Sequence, residues 1–414
     1  MYLYKCAEGI LIKLRKQNSS VKNLVYAEGK KIKNIKQLYA LVCETLKYKD
    51  VVQDIINQSK IFKNSKISDE LSCLLVYDFL FGKGIQCGGR FKAMIQSRKI
   101  LLQSTLTKVK VQRKVMDNKD LVSQNCKNVV EISKYLRINT LLAKPEAVKK
   151  ELCALGYSEN DSNSSKSFKV DGDIPNLLAF PTNSDFHKNK LYVDGHLIIQ
   201  DKASCMPAFV LNPAPESIVI DACAAPGNKT SHLAAIMKNS GKIFAFDISS
   251  RRLKTMDKLL KKAGVTNCET INSDFLKIPH ADEKFQNVDC ILVDPSCSGS
   301  GIVSRMSHLT DTEVFSAERL ASLQMFQKKI LNHALSFPKV SKVVYSTCSI
   351  NEMENELVVL ECLKSNPHFT LVNIMPKWPS RGIPPSSSES VKCIRCDPKY
   401  HNTNGFFVAL FQRK

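Results

Sequence analysis

Residues 288–301 read VDCILVDPSCSGSG, and residues 342–349 read KVVYSTCS. Each opens as an apolar run that reads as a buried strand and ends in a cysteine among small, turn-forming residues. In a parallel α/β sheet the carboxyl ends of the strands are where ligands sit. Cys297 and Cys348 are therefore expected at neighbouring strand tips, where a reaction would use one sulfur nucleophile and a second sulfur beside it.

Outward from these runs, residues 216–414 alternate strand and helix. Strands are expected at 217–220, 242–246, near 269–271, before Asp294, before Cys348, near 370–372 and at 406–411. Helices are expected at 229–237, 251–263, 313–335 and 354–363. This order predicts a mostly parallel, doubly wound sheet, because right-handed crossovers place helices on both faces.

Residues 131–215 read as a small mixed α/β module, similar to an RNA-recognition motif. Within it, 135–140 (YLRINT) is strand-like, and a helix at 144–156 opens at Pro145 and closes at Gly156. Residues 158–167 (SENDSNSSKS) are polar and read as a loose insertion. Residues 1–130 mix lysine with helical periodicity, notably at 35–46 and 71–81, and read as a helical basic domain. Gly82-Lys83-Gly84 and Gly88-Gly89-Arg90 interrupt it and are expected to let backbone approach a partner.

The formal charge of +21 is unevenly placed. Residues 1–150 hold 30 Lys/Arg against 12 Asp/Glu, whereas the remainder hold 30 against 27. A surplus confined to one end fits a domain that grips a polyanion, with a merely solvated basic face as the plainer alternative. At 414 residues two or three domains are expected, and no apolar run is long enough to cross a bilayer. The first residues lack the pattern of a secretory signal, and Glu8 and the lack of an Arg/Ser-rich pattern argue against a transit peptide.

The 15 cysteines are odd in number and mostly lie in apolar stretches, as reduced core thiols do in a nuclear or cytosolic protein. Cys393-x-x-Cys396 has no second pair at zinc spacing, so an ordinary loop is the favoured reading over a zinc site or redox motif. The histidines lack metal-ligand spacing, so no metal is expected.

Residues 221–230 (DACAAPGNKT) form a strand–turn–helix junction. The small residues Cys223, Ala224, Ala225, Pro226, Gly227 and Asn228 let a ligand approach the backbone, and the helix amino end offers N–H donors. The stretch is neither a GxGxxG fingerprint nor a P-loop. Asp247, at the end of the next strand, is placed to accept hydrogen bonds from ribose hydroxyls. The pattern favours a nucleoside ligand without pyrophosphate. S-adenosylmethionine fits, with its adenine near Asp274. Singly, each aspartate would more often be a cap or turn residue; the argument rests on three of them ending successive strands. Lys229 and Arg252 are candidates for cofactor carboxylate or phosphate contacts, although a solvated helix position suits Arg252 nearly as well.

DACAAPGNKT, DFLKIP (274–279), DPSCSGSG (294–301), YSTCSINEMENE (345–356) and NGFFVALF (404–411) together resemble the Sun-domain, Fmu-type RNA cytosine-5 methyltransferases. The resemblance runs from about Tyr135 to the C-terminus. YLRINT is similar to the stretch preceding that family's catalytic domain, and LVYDFLFGKGIQCGGRFK (75–92) resembles its large-subunit rRNA branch. Asn228 stands where glycine is usual. Ser296 replaces a second proline, loosening the turn that aims Cys297.

The resemblance implies transfer of a methyl group from S-adenosylmethionine to cytosine C5. That carbon is too weak a nucleophile unless a thiolate first adds at C6, and a base must later take the C5 proton. By resemblance Cys348 attacks, Cys297 assists release, and Asp294 holds the Watson–Crick edge. Spacing alone does not order the two sulfurs. The implied substrate is large-subunit rRNA, free or in a pre-ribosomal particle, in the nucleus or nucleolus. The competing readings are a tRNA substrate or a non-catalytic RNA-binding assembly factor. An amino-methyltransferase would want Tyr or Phe at the Cys297 position. No membrane partner is expected, and a monomer is favoured.

Overall fold

The computed structural model describes residues 2–16, 21–28, 34–63, 65–86, 88–122, 130–161, 164–280, 282–303, 317–383 and 388–414. The chain forms two compact units, one drawn from Met1–Val129 and the other from Val130–Val303 and Ser316–Lys414. No described helix is long and apolar enough to cross a membrane.

The first unit contains helices α1 (Tyr2–Lys16), α2 (Val21–Glu28), α3 (Ile35–Lys47), α4 (Lys49–Ser59), α5 (Asp69–Leu80), α6 (Arg90–Ser97) and α7 (Lys99–Gln112). Helix α5 is buried from Leu71 through Asp78 and forms the centre of this core. Its start is well specified: Ser68 accepts a hydrogen bond from the Leu71 amide, and Asp69 and Glu70 occupy the positive end of the helix dipole. The Tyr4 hydroxyl of α1 donates to the Asp78 carboxylate and accepts from the Gln86 amide at 3.1 Å.

Gly82-Lys83-Gly84 closes the end of α5 within the fold. The Gly84 amide donates to the Asp78 carbonyl, and a Cβ on Gly82 would come within 2.9 Å of Asp78 Cα. Arg90, Lys92, Arg98, Lys99, Lys108 and Lys114 of this unit are exposed.

The second unit holds two sheets. The smaller has the order β2-β3-β4-β1-β5, from β1 (Lys134–Ile138), β2 (Ser158–Glu159), β3 (Ser167–Val170), β4 (Leu177–Phe180) and β5 (Leu197–Ile199). Helix α8 (Pro145–Ala154) packs on it through Val148 and Leu152. The expected loose insertion is corrected here. Its two ends pair as β2 and β3, with the Ser158 amide on the Lys166 carbonyl and the Asn160 amide on the Phe168 carbonyl. Backbone pairing anchored by buried Phe168 is invisible to a reading based on side-chain polarity.

The larger sheet comprises β6 (Ile218–Asp221), β7 (Lys242–Phe246), β8 (Cys268–Ile271), β9 (Cys290–Val293), β10 (Lys342–Thr347), β11 (Phe369–Leu371), β12 (Ile394–Cys396) and β13 (Phe406–Arg413). Its order is β11-β13-β10-β9-β6-β7-β8, with β12 on β13. Strands β6 to β10 are parallel, while β13 runs antiparallel to β10, β11 and β12.

Helices α9 (Lys190–Val193), α10 (Lys202–Leu211), α11 (Asn228–Ile236), α12 (Ser250–Lys262), α13 (Ala317–Leu335), α14 (Glu356–Ser365) and α15 (Pro398–His401) complete the unit. Residues 313–316, where the α13 helix was expected to begin, lie outside the described residues. Both sheet faces are covered. Ile220, Ile291, Val343 and Tyr345 pack with Ile330 of α13 and Val358 of α14, whereas Val219, Leu292 and Val344 pack with Met206 of α10 and Leu233 of α11. Burial on both faces explains why these strands read as unbroken apolar runs.

Candidate active site

The sheet reverses its winding between the adjacent strands β6 and β9, and the loops leaving β6, β9 and β10 meet there. The parallel register sets Val293 against Tyr345, so Asp294 emerges beside Ser346, whose hydroxyl donates to Asp294 Oδ1 at 2.8 Å. Lys229, from the first turn of α11, donates to Asp294 Oδ2 at 2.6 Å. Burial opposes the Lys229 charge, but the Asp294 carboxylate beside it outweighs that effect and raises its pKa.

Beyond these strand ends Cys297 Sγ and Cys348 Sγ lie 3.2 Å apart. The hydrogen bond to Cys348, followed by burial, holds the Cys297 thiol well above the usual range. Behind the Cys297 loop Gly301 meets Gly405 back to back, the Gly405 amide donating to the Gly301 carbonyl at 2.8 Å. A Cβ on Gly301 would lie 2.2 Å from the Gly405 carbonyl oxygen, so this approach admits no side chain.

One buried carboxylate ties the two cysteine loops together. Glu354 Oε1 accepts from the Ser298 amide at 2.8 Å and from Gln327 Nε2 at 3.0 Å. Its Oε2 accepts from Ser298 Oγ at 2.6 Å, Ser349 Oγ at 2.5 Å and Asn351 Nδ2 at 3.1 Å. Burial pushes the Glu354 pKa up, but these donors win and leave it below its ordinary value. Gln327 also donates to the Ser296 carbonyl at 3.1 Å, holding the turn that lacks the second proline.

The loop after β6 has the character of a ligand cradle. Thr230 donates to Asp221 Oδ2 at 2.7 Å, while buried Asp221 Oδ1 has no hydrogen-bond partner. Burial pushes this carboxyl up to about 6. Gly227 has φ of 101° and sits where a Cβ would come within 2.9 Å of Met256 Cγ. Ala224 and Ala225 are buried, and burial raises the Cys223 thiol. Asn228 opens α11.

Asp247 Oδ1 accepts from the Ser249 amide at 2.9 Å and Oδ2 pairs with Arg252 at 3.0 Å. Asp274 caps a short 3-10 turn through the Leu276 amide at 3.1 Å. An unmatched buried acceptor, small residues before a helix amino end and two further carboxylates fit a nucleoside bearing an amino-acid tail. S-adenosylmethionine has that composition.

Residues 36–122 match the sequence model of the NOL1/NOP2/Sun domain family member 5 N-terminal domain, and 132–200 match that of its ferredoxin-like domain. Residues 208–412 match the 16S rRNA methyltransferase RsmB/F model. The 28S rRNA (cytosine-C(5))-methyltransferase of Mus musculus is 42% identical over 427 residues, covering 100% of this chain and 91% of that one. The chain belongs to the NOL1/NOP2/Sun-domain methyltransferase family. A second relative in it, the 25S rRNA (cytosine-C(5))-methyltransferase rcm1 of Schizosaccharomyces pombe, is 40% identical and covers 99% of this chain and 91% of its own length. The fold is shared with a methyltransferase homolog from Pyrococcus horikoshii, with a TM-score of 0.59 at 24% identity over 88% of this chain and 99% of that one.

In this Sun-domain methyltransferase the sequence-expected Cys297, Cys348, Asp294 and Lys229 come together. Lys229 and Arg252, candidates for cofactor contacts, each have an aspartate partner as well. Lys229 holds Asp294, and Arg252 bridges Asp247 to the Ala225 carbonyl. Asp247 and Asp274 cap turns as well as standing at the strand ends.

Glu354 and Gln327 were missed. ENE at 354–356 offered a signal only as part of the family motif, and Gln327 offered none. The ordinary loop expected at Cys393-x-x-Cys396 is corrected: Ile394–Cys396 pairs with β13 as β12, and both cysteines are buried, with Cys396 Sγ against Met206 Sδ. Among the described residues, no group of three or more His, Cys, Asp or Glu could hold a metal.

Proposed function

We propose that the protein methylates C5 of a cytosine in large-subunit ribosomal RNA, through a covalent bond between Cys348 and C6. The observation that carries this reading is the 3.2 Å approach of two sulfurs beside a carboxylate held by Lys229 and Ser346. The target base enters single-stranded or extruded. Asp294, fixed on both oxygens, accepts from the cytosine edge and steadies charge there.

The Cys348 sulfur adds to C6, opening the 5,6 double bond and making C5 enamine-like. S-adenosylmethionine supplies the methyl group that C5 takes. Loss of the C5 proton to a base re-forms the double bond and expels the sulfur. Cys297, kept as a thiol and within reach of Cys348, assists that release.

Cys223 through Asn228 and the orphan oxygen of Asp221 cradle the amino-acid end of the cofactor. Asp247 takes the ribose, Asp274 the adenine side, and Arg252 orients Asp247. The exposed basic residues of the first unit attract phosphates without regard to sequence. A ribosomal substrate implies work in the nucleolus on rRNA or a pre-ribosomal particle, and a monomer is the favoured state.

The test is single-turnover methyl transfer to purified large-subunit rRNA and to tRNA. Preferential labelling of rRNA is expected. Equal or greater labelling of tRNA overturns the substrate, and no incorporation into either RNA leaves a binding role only.

A further inference from the structure

Arg137, on β1, is 1% exposed, yet no carboxylate pairs with it among the described residues. Its Nε donates to Gln200 Oε1 at 2.8 Å and one terminal nitrogen to Ser231 Oγ at 3.0 Å, both neutral oxygens. Other buried or partly buried cations of this unit behave differently. Lys202 lies between Asp171 and Asp173, Arg395 on Glu356, and Lys229 on Asp294. A guanidinium taken out of water without a counter-ion is unfavourable, and burial pushes this one down to about 10.

A cavity of about 210 Å³ lies over Arg137, at the seam between the smaller sheet and helices α10 and α11. His232 also lines it and is buried, with an Nδ1 that has no hydrogen-bond partner. Thr140 and Asn212 stand exposed at its edge, with Asn176 beside them. Its polar groups are a lone cation, an imidazole and side chains able to donate.

We propose that this cavity binds a tetrahedral oxyanion of the phosphate class, which supplies the counter-charge that Arg137 lacks. Arg137 presents planar donors suited to phosphate oxygens, and the amide and hydroxyl groups at the edge complete its shell. The occupant is inorganic phosphate or a backbone phosphodiester of the RNA substrate. The two share the chemistry and differ only in source.

The test uses the full-length protein, Arg137→Gln and Ala235→Leu, the last adding bulk at the cavity wall while Arg137 itself is kept. Inorganic phosphate binding is followed by 31P line broadening, and RNA affinity is measured at fixed salt. The wild type should bind phosphate saturably, and both variants at least about tenfold more weakly.

If a phosphodiester is the occupant, phosphate competes with RNA and Ala235→Leu, its circular dichroism unchanged, loses about tenfold in RNA affinity. If the occupant is the free anion, Ala235→Leu loses phosphate binding and keeps its RNA affinity. Absence of saturable phosphate binding with RNA affinity unchanged in Ala235→Leu overturns the proposal. So does phosphate binding that persists in that variant.

Discussion

Ser298 and Ser349, each the residue after one of the paired cysteines, donate to the same oxygen of Glu354, at 2.6 and 2.5 Å. A carboxylate that touches neither sulfur therefore helps fix their separation, together with the Gly301 amide donating to the Cys348 carbonyl at 3.0 Å. Glu354→Gln keeps the shape but replaces an acceptor by a donor facing Ser and Asn donors. Its kcat should fall by roughly 10²-fold, since an ångström of misplacement carries an effect of that order, while KM for S-adenosylmethionine stays near wild type. An unchanged kcat at normal cofactor KM counts against the positioning role.

Lys229→Met leaves Asp294 with Ser346 alone and a half-buried carboxylate without its cation. Urea denaturation should show a loss of roughly 1–3 kcal/mol, less than for a fully buried pair because both side chains retain some exposure. Methyl transfer should fall more than RNA binding does. Equal losses in both would mean that the pair serves RNA affinity instead of the reaction.

Asp221 has a folded pKa of about 6 against an ordinary 3.8. The folded state holds a proton there that the unfolded chain has released, so the Asp221 contribution to stability falls as pH rises between those values. The whole window is worth about 3 kcal/mol. Urea midpoints of wild type and Asp221→Asn, compared from pH 4 to 6.5, should diverge, with the flatter profile belonging to the variant. Glu354 acts oppositely. Its depressed pKa contributes stability that is present above its ordinary value and lost on acidification through the folded one.

Replacing Arg90, Lys92, Arg98 and Lys99 by glutamine should weaken RNA binding and flatten its salt dependence. Each lost phosphate contact lowers the log–log slope by roughly 0.7–0.9. Cofactor affinity should not change. A salt slope equal to wild type would place the RNA contact elsewhere.

Most strands of the larger sheet were legible because burial on both faces leaves unbroken apolar runs, and Cys297 and Cys348 because each ends such a run; the three-residue β12, read as loop, was too short to show one. The antiparallel entry of β13 was not legible, since Phe406–Arg413 has the same apolar texture whichever way it runs. Pairing of the polar stretch as β2 and β3 rests on backbone hydrogen bonds that composition does not encode. Partner choice escaped for a related reason. Lys229, Arg252 and Gln327 have side chains long enough to reach several acceptors, and only the fold selects among them.

The central claim is that Cys348 bonds to the pyrimidine and Cys297, 3.2 Å away, lets it go. Incubation with large-subunit rRNA containing 5-azacytidine, followed by denaturing electrophoresis, measures the adduct directly. The wild type should form a covalent complex that Cys348→Ala abolishes, and Cys297→Ala should accumulate a complex even on unmodified RNA. A complex retained in Cys348→Ala, with methyl transfer at the wild-type rate, would contradict the account.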